Sequence, residues 1–146
     1  ILENLQDPGN LGTMIRTGEG AGITGVIMNQ QTVDIFNPKT IRATMGSIFR
    51  VPFVYVPELS TVLTQMHERG IHTYAAHLKG QKYYDSFSFR EPTAFLIGNE
   101  GNGLTKEISD QAGQYLKIPM EGKVESLNAS IAAALLMYEA HRQRNL

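Results

Sequence analysis

The chain has no cysteine, which excludes disulfides and thiolate metal sites and fits a reducing, cytoplasmic setting. It also lacks a long hydrophobic run. The longest, Ile131–Tyr138, falls far short of the roughly 18–20 residues that a membrane span requires, and reads as a buried helix. No basic-then-apolar leader precedes Ile1, and a chain that opens without Met on Ile-Leu reads as a piece of something longer. A surplus of positive charge is missing too: 13 Lys and Arg stand against 14 Asp and Glu, for a net charge of −1. Domains that bind nucleic acid usually carry a basic excess, because phosphate neutralisation supplies much of their affinity. A nucleic-acid partner would therefore be held by local basic groups or by a further domain. What is present is the composition of a soluble globular chain, with 42% hydrophobic and 18% charged residues over 146 positions. That is one domain with room for a real core.

Short β-rich runs alternate with helical stretches, the pattern of an α/β fold with a mostly parallel sheet flanked by helices. Strands are expected at Ile1–Leu5, Gly25–Met28, Val51–Val56, Ile71–Ala76, Thr93–Ile97 and Gln114–Ile118. A helix should open at Asn10 as N-cap and bury Leu11, Met14, Ile15 and Gly18. Asn37-Pro38 starts another, with Pro in the first turn where a missing N–H costs nothing. Leu59, Val62, Leu63 and Met66 mark an amphipathic helix over Leu59–Arg69 that Gly70 ends. Thr105–Ala112 is a short helix and Leu127–Arg144 the longest. Leu78–Glu91 is the least regular stretch and reads as a surface connection.

Three clusters carry chemistry. The first, Asn4–Thr17, sets a polar turn after a strand and at the mouth of a helix, where open α/β sheets bind ligands. Asn10 and Arg16 project about 120° apart on such a helix. They converge on one ligand only if Asn10 sits at the cap. The bland alternative is a cap and a solvated charge. The second cluster, Ile97–Leu104, has three glycines in six residues after an apolar strand, which lets backbone approach a ligand closely. Its spacing, G-x-x-G-x-G, matches neither the dinucleotide fingerprint nor a P-loop. A plain strand–helix turn explains it equally well in isolation. The third, Ile118–Ser130, opens the longest helix. Ser126 or Asn128 can cap that helix, and its free N–H groups suit an anionic group.

Taken in order, N-x-x-D-P-x-N-x-G-x-x-x-R-T, F-L-I-G-N-E-G-x-G-L and I-P-M-x-G-x-x-x-S-L-N-x-S resemble the three motifs of the SpoU (SPOUT superfamily, TrmH-like) RNA ribose 2′-O-methyltransferases. The resemblance runs from Ile1 to about Tyr138, with no departure at the motif positions. It implies a SPOUT-type α/β fold with a C-terminal deep trefoil knot, formed around Gly98–Gly103 and Ile118–Ser130, although knots are otherwise nearly absent from proteins. It also implies a catalytic domain over residues 1–146, an N-terminal RNA-binding domain outside this chain, and a homodimer that completes the site.

The implied methyl donor is S-adenosylmethionine, bound in a bent form by backbone groups of Leu96, Gly98, Ile118, Met120 and Leu127, with Asn99, Glu100, Gly101, Ser126 and Asn128 alongside. The implied acceptor is a ribose 2′-hydroxyl of structured RNA, ribosomal RNA being favoured over transfer RNA. Arg16 carries the central role, helped by Asn10, Glu100, Ser126 and Asn128. A free guanidinium has a pKa of roughly 13.8, so deprotonating one near pH 7 costs about 9 kcal/mol. Clamping a phosphate and orienting the 2′-oxygen is the cheaper role for Arg16. Lys39, Arg42 and Arg50 are further basic candidates, each with an ordinary solvated alternative.

Three competing classes make different demands. A non-catalytic knotted RNA-binding or dimerisation module would not need Asn10, Arg16, Glu100, Ser126 and Asn128 intact. A Rossmann enzyme needs a glycine fingerprint after the first strand and an acid some 20 positions later, and has neither here. A metal enzyme built on His67, His72 and His77 lacks companion ligands, so no metal is expected.

Overall fold

The computed structural model describes residues 1–146. The elements in chain order are α1 (Pro8–Ala21), β1 (Val26–Asn29), α2 (Pro38–Thr44), β2 (Phe53–Val56), α3 (Leu59–Glu68), β3 (His72–Ala76), β4 (Thr93–Leu96), α4 (Lys106–Gln111), β5 (Gln114–Leu116) and α5 (Ala129–Arg144). All strand pairs are parallel: β1 with β2, and β3 with both β4 and β5. The α/β class expected from the alternating pattern is the one found.

The expected first strand, Ile1–Leu5, is reduced to a single bridging residue. Leu2 pairs in parallel with Met28 of β1 and with Ile97 just after β4. Its N–H donates to the Ile27 carbonyl at 2.8 Å, and the Glu3 N–H donates to the Ile97 carbonyl at 2.9 Å. The spatial order is therefore β2–β1–Leu2–β4–β3–β5. Asn4 ends the extended run because its backbone turns left-handed, at φ 55°, a conformation that Asn tolerates better than most residues.

Period-two alternation along the strands feeds two cores. Tyr74 of β3 joins Leu11, Met14, Ile15, Val26, Met28, Leu136 and Ala140 beneath α1 and α5. Its neighbour Ala75 points the other way with Leu96, towards Leu59 and Leu63 of α3 and Ile108 of α4. Helices thus cover both faces of the strands. On the first face α1 lies very close to α2. A Cβ on Gly12 would stand 2.5 Å from the Ala43 Cβ and the Thr40 carbonyl oxygen, so only glycine permits that approach.

Two further expectations are revised. α1 begins at Pro8, with Asp7 as N-cap accepting from the Asn10 N–H at 2.8 Å. Asn10 is therefore inside the helix and is not its cap. Proline at the first helical position and an Asp before it form a stronger start than Asn10 alone. Leu78–Glu91 is irregular as expected, apart from a single short turn at Tyr84–Ser86, but it is more than a surface connection. Phe89 within it is fully buried, edge-on to Tyr74 and Phe95.

Candidate functional site

The carboxyl ends of β3 and β4 open into a cleft of about 360 Å³, within the range typical of small-ligand sites. Its walls are the loop Gly98–Leu104, the end of β3 at Ala76–Leu78, and Lys117, Ile118, Met120 and Glu125–Leu127 ahead of α5. Gly98, Asn99, Glu100, Gly101, Ile118, Met120, Ser126 and Leu127 all line it, so most of the expected ligand-binding set is brought together. Leu96 does not line it. Its side chain is fully buried against α3 and α4, because strand alternation turns it to the opposite face. Asn128 also lies outside the lining, next to it in sequence. A larger, mainly apolar hollow of about 830 Å³ contains none of the candidate site residues.

The glycine loop folds back on itself. Asn99 and Gly103 exchange backbone hydrogen bonds at 3.1 and 2.8 Å, and a Cβ on Gly98 would lie 2.2 Å from the Gly103 carbonyl carbon and the Leu104 nitrogen. The Asn99 side chain is consumed in holding this shape. Its Oδ1 accepts from the Gly101 and Asn102 N–H groups at 2.9 and 3.0 Å, and its Nδ2 donates to the Asn4 carbonyl at 2.9 Å.

Glu100 reaches out of the loop to the start of α1. Its carboxylate accepts from the Asp7 N–H at 2.8 Å and the Gln6 N–H at 3.0 Å, with the Asn10 Nδ2 at 3.5 Å. The amino-terminal end of a helix favours such a charge. Partial desolvation raises its pKa. The Asp7, Gln6 and Glu100 N–H groups and the Asn10 amide outweigh that effect and hold the carboxyl below its ordinary range. A depressed folded-state pKa contributes stability above the unfolded value, about 4.3 for Glu, which is lost as pH falls through the folded one. Glu100→Gln is accordingly expected to lower the thermal midpoint at pH 7, with the gap to wild type closing below about pH 4. A pH-independent gap in a calorimetric series would count against this charge-based account.

Asn128, with Ser126 the alternative, is the N-cap of α5. Its Oδ1 accepts from the Ser130 N–H at 2.8 Å and the Ile131 N–H at 3.3 Å. Its Nδ2 donates to the Asn10 Oδ1 at 3.1 Å. Glu100, Asn10 and Asn128, one from each motif, thus form one hydrogen-bonded chain. The condition attached to Asn10 and Arg16 is not met: Asn10 is helical, with Asp7 as the cap, and its side chain turns towards this chain. Arg16 lies further along α1, exposed and paired with no acidic side chain. Ser126 is exposed in the cleft wall. Of the other basic candidates, Lys39 and Arg42 are exposed, while Arg50 is ion-paired with Glu19.

The histidines are dispersed. His67 bonds the Thr73 hydroxyl at 2.8 Å and His77 stacks on Tyr115 at 4.8 Å between ring centroids. No group of three or more His, Cys, Asp or Glu is placed to hold a metal ion.

A parallel α/β sheet with a small-ligand cleft at its strand ends, walled by a glycine loop and a helix start, defines a ligand-binding α/β domain of the doubly covered kind. The family model for the SpoU rRNA methylase family matches residues 1–138, and the chain belongs to that family. It is 37% identical over 145 residues to a putative TrmH family tRNA/rRNA methyltransferase of Staphylococcus haemolyticus, covering 99% of this chain and 58% of that protein. It is also 37% identical over 138 residues to the 23S rRNA (guanosine(2553)-2′-O)-methyltransferase RlmP of Bacillus subtilis, covering 94% and 55%. The SpoU methyltransferase AviRb from Streptomyces viridochromogenes, solved in complex with the cofactor AdoMet, superposes with a TM-score of 0.92 at 34% identity, covering 99% of this chain and 56% of that one. The chain spans little more than half the length of these relatives.

Glu3 and Gln6 were not singled out by sequence, and His77, which lines the cleft, was considered only as a metal ligand. For Glu3 a signal existed, since an acid set between Leu2 and Leu5 in an apolar opening needs a buried partner.

Proposed function

We propose that this chain is the catalytic domain of an RNA methyltransferase that transfers a methyl group from S-adenosylmethionine to a ribose 2′-hydroxyl. The carrying observation is the Glu100–Asn10–Asn128 chain, which draws all three motifs to one place beside the cleft. S-adenosylmethionine fits the donor set of that cleft. Ile97, Leu104, Ile118, Met120 and Leu127 offer apolar surface to a heteroaromatic base, while Ser126, Glu125 and Lys117 offer polar and charged contacts. The loop also lets backbone approach closely, because Gly98 has no room for a side chain. When bound, the sulfonium supplies an activated methyl group.

The chain's own residues divide the remaining work. Gly98–Leu104 and Ile118–Leu127 hold the donor. Asn10, Glu100 and Asn128 fix the junction between donor cleft and α1. Arg16 grips a phosphate of the RNA and sets the 2′-oxygen in line with the methyl group. The two donor-holding segments line the same cleft, which supports a trefoil-knotted arrangement. Ile131, Leu135 and Tyr138, exposed on one stretch of α5, support a homodimer in which a second copy covers them. The substrate is structured RNA, ribosomal over transfer RNA, held partly by an RNA-binding domain outside these residues, in the cytoplasm.

A labelled-donor methylation assay on bulk ribosomal and transfer RNA tests the reading, with nucleoside digestion to locate the label. Label on a ribose oxygen is expected. Label confined to base nitrogens would refute the reaction class.

A further inference from the structure

Glu3 is an acid with only 5% of its surface exposed, and no cation pairs with it. Burying a carboxylate without a counter-charge is costly unless strong hydrogen bonds satisfy it. Both of its oxygens are used on one residue. The Thr105 N–H donates to Oε2 at 2.7 Å and the Thr105 hydroxyl donates to Oε1 at 2.7 Å. Thr105 is at the same time the N-cap of α4, its hydroxyl accepting from the Ile108 N–H at 3.3 Å.

These bonds sit at the far end of the glycine loop. At the near end, the Asn99 amide donates to the Asn4 carbonyl. The stretch between Asn99 and Thr105, which is one wall of the cleft, is therefore tied at both ends to two consecutive residues, Glu3 and Asn4. The loop cannot tilt towards or away from the opposite wall without breaking one tie. Two hydrogen bonds of 2.7 Å make the Glu3 tie, against one of 2.9 Å at Asn4.

We propose that Glu3 is a positioning residue for the donor cleft: through Thr105 it sets the carboxyl end of the Gly98–Leu104 wall and so the width of the space that holds S-adenosylmethionine. The inference rests on the donor-binding role proposed above. It assigns Glu3 no contact with donor or RNA.

Calorimetry and amide exchange on the intact protein separate the two ideas. Glu3→Gln and Thr105→Val should each weaken S-adenosylmethionine binding by about tenfold, the loss expected for a charge-assisted hydrogen bond. Thr105→Ser, which keeps both donors, should restore wild-type affinity. Without ligand, the amides of residues 99–104 should exchange at least about tenfold faster in Glu3→Gln and Thr105→Val, while those of β3 keep their rates. Unchanged loop exchange would overturn the proposal. So would faster exchange with unaltered affinity, or a Thr105→Ser variant as weak as Thr105→Val. If wild type binds no S-adenosylmethionine, the donor-cleft reading fails by itself, and the positioning of the wall is still decided by exchange. Should Glu3→Gln not fold, the two Thr105 variants make the same comparison.

Discussion

Replacing Arg16 by alanine is expected to lower RNA ribose methylation by at least about a hundredfold while leaving S-adenosylmethionine affinity within about twofold. The split follows from where Arg16 stands. It is on α1, six residues beyond Asn10 and so about 9 Å further along the helix axis, and it is absent from the residues that line the donor cleft. Its side chain is exposed and paired with no acid, so its fork of donors is available to a phosphate. Arg16→Lys keeps the charge and loses the fork, and should fall nearly as far as alanine. Single-turnover rates on methyl-deficient RNA, beside calorimetry with the donor, give both numbers. A lysine variant close to wild-type rate would remove the clamp as an explanation, and a matching loss of donor affinity would move Arg16 into the cleft.

The second large effect is expected from Gly98→Ala. Its Cβ would meet backbone on both sides of the Gly103–Leu104 peptide at 2.2 Å, and backbone yields less readily than the tip of a side chain. The loop must open, breaking the reciprocal Asn99–Gly103 pair. Forced overpacking of this kind costs about 1–3 kcal/mol, or a fall in the thermal midpoint of roughly 3–10 °C for a chain of this size. Donor binding should weaken by at least about a hundredfold, because the wall itself is displaced. Differential scanning calorimetry and a donor titration measure the two effects. An alanine variant with native affinity would show that the loop does not form the donor site.

Much of this was legible in the sequence, for physical reasons that differ by element. α3 and α5 could be placed within two residues because amphipathic spacing, Gly70 and the Asn128 cap are local signals. The Ile1–Leu5 strand was overdrawn. Apolar character there reflects burial between two strands, but Asn4 turns left-handed and stops the pairing after Leu2. The start of α1 lies three residues earlier than expected: Asp7 and Asn10 are both good caps, and the first is favoured by Pro8 at the first helical position and by the anchoring of Gln6 and Asp7 on Glu100. Most of the cleft lining follows from motif order, whereas the Leu96 side chain faces away from the cleft because strand alternation turns it to α3 and α4, leaving only its backbone for the role expected of it. Glu3 was passed over since its partner, Thr105, lies 102 residues away.

The amide chain has a direction. Its negative end is Glu100, which only accepts. Asn10 donates to Glu100 and accepts from Asn128, and the Asn128 oxygen is already committed to the first N–H groups of α5. Neither amide can reverse without setting oxygen against oxygen, so its dipoles are arranged before any ligand arrives. An aspartate at position 10 or 128 has nearly the same shape and would still be unfit, since it removes the one donor that each link requires. The two asparagines are thus constrained as a pair by polarity and not by size: exchange of either for its acid breaks the chain as surely as removal of the side chain, even though an acid at 128 would still cap α5.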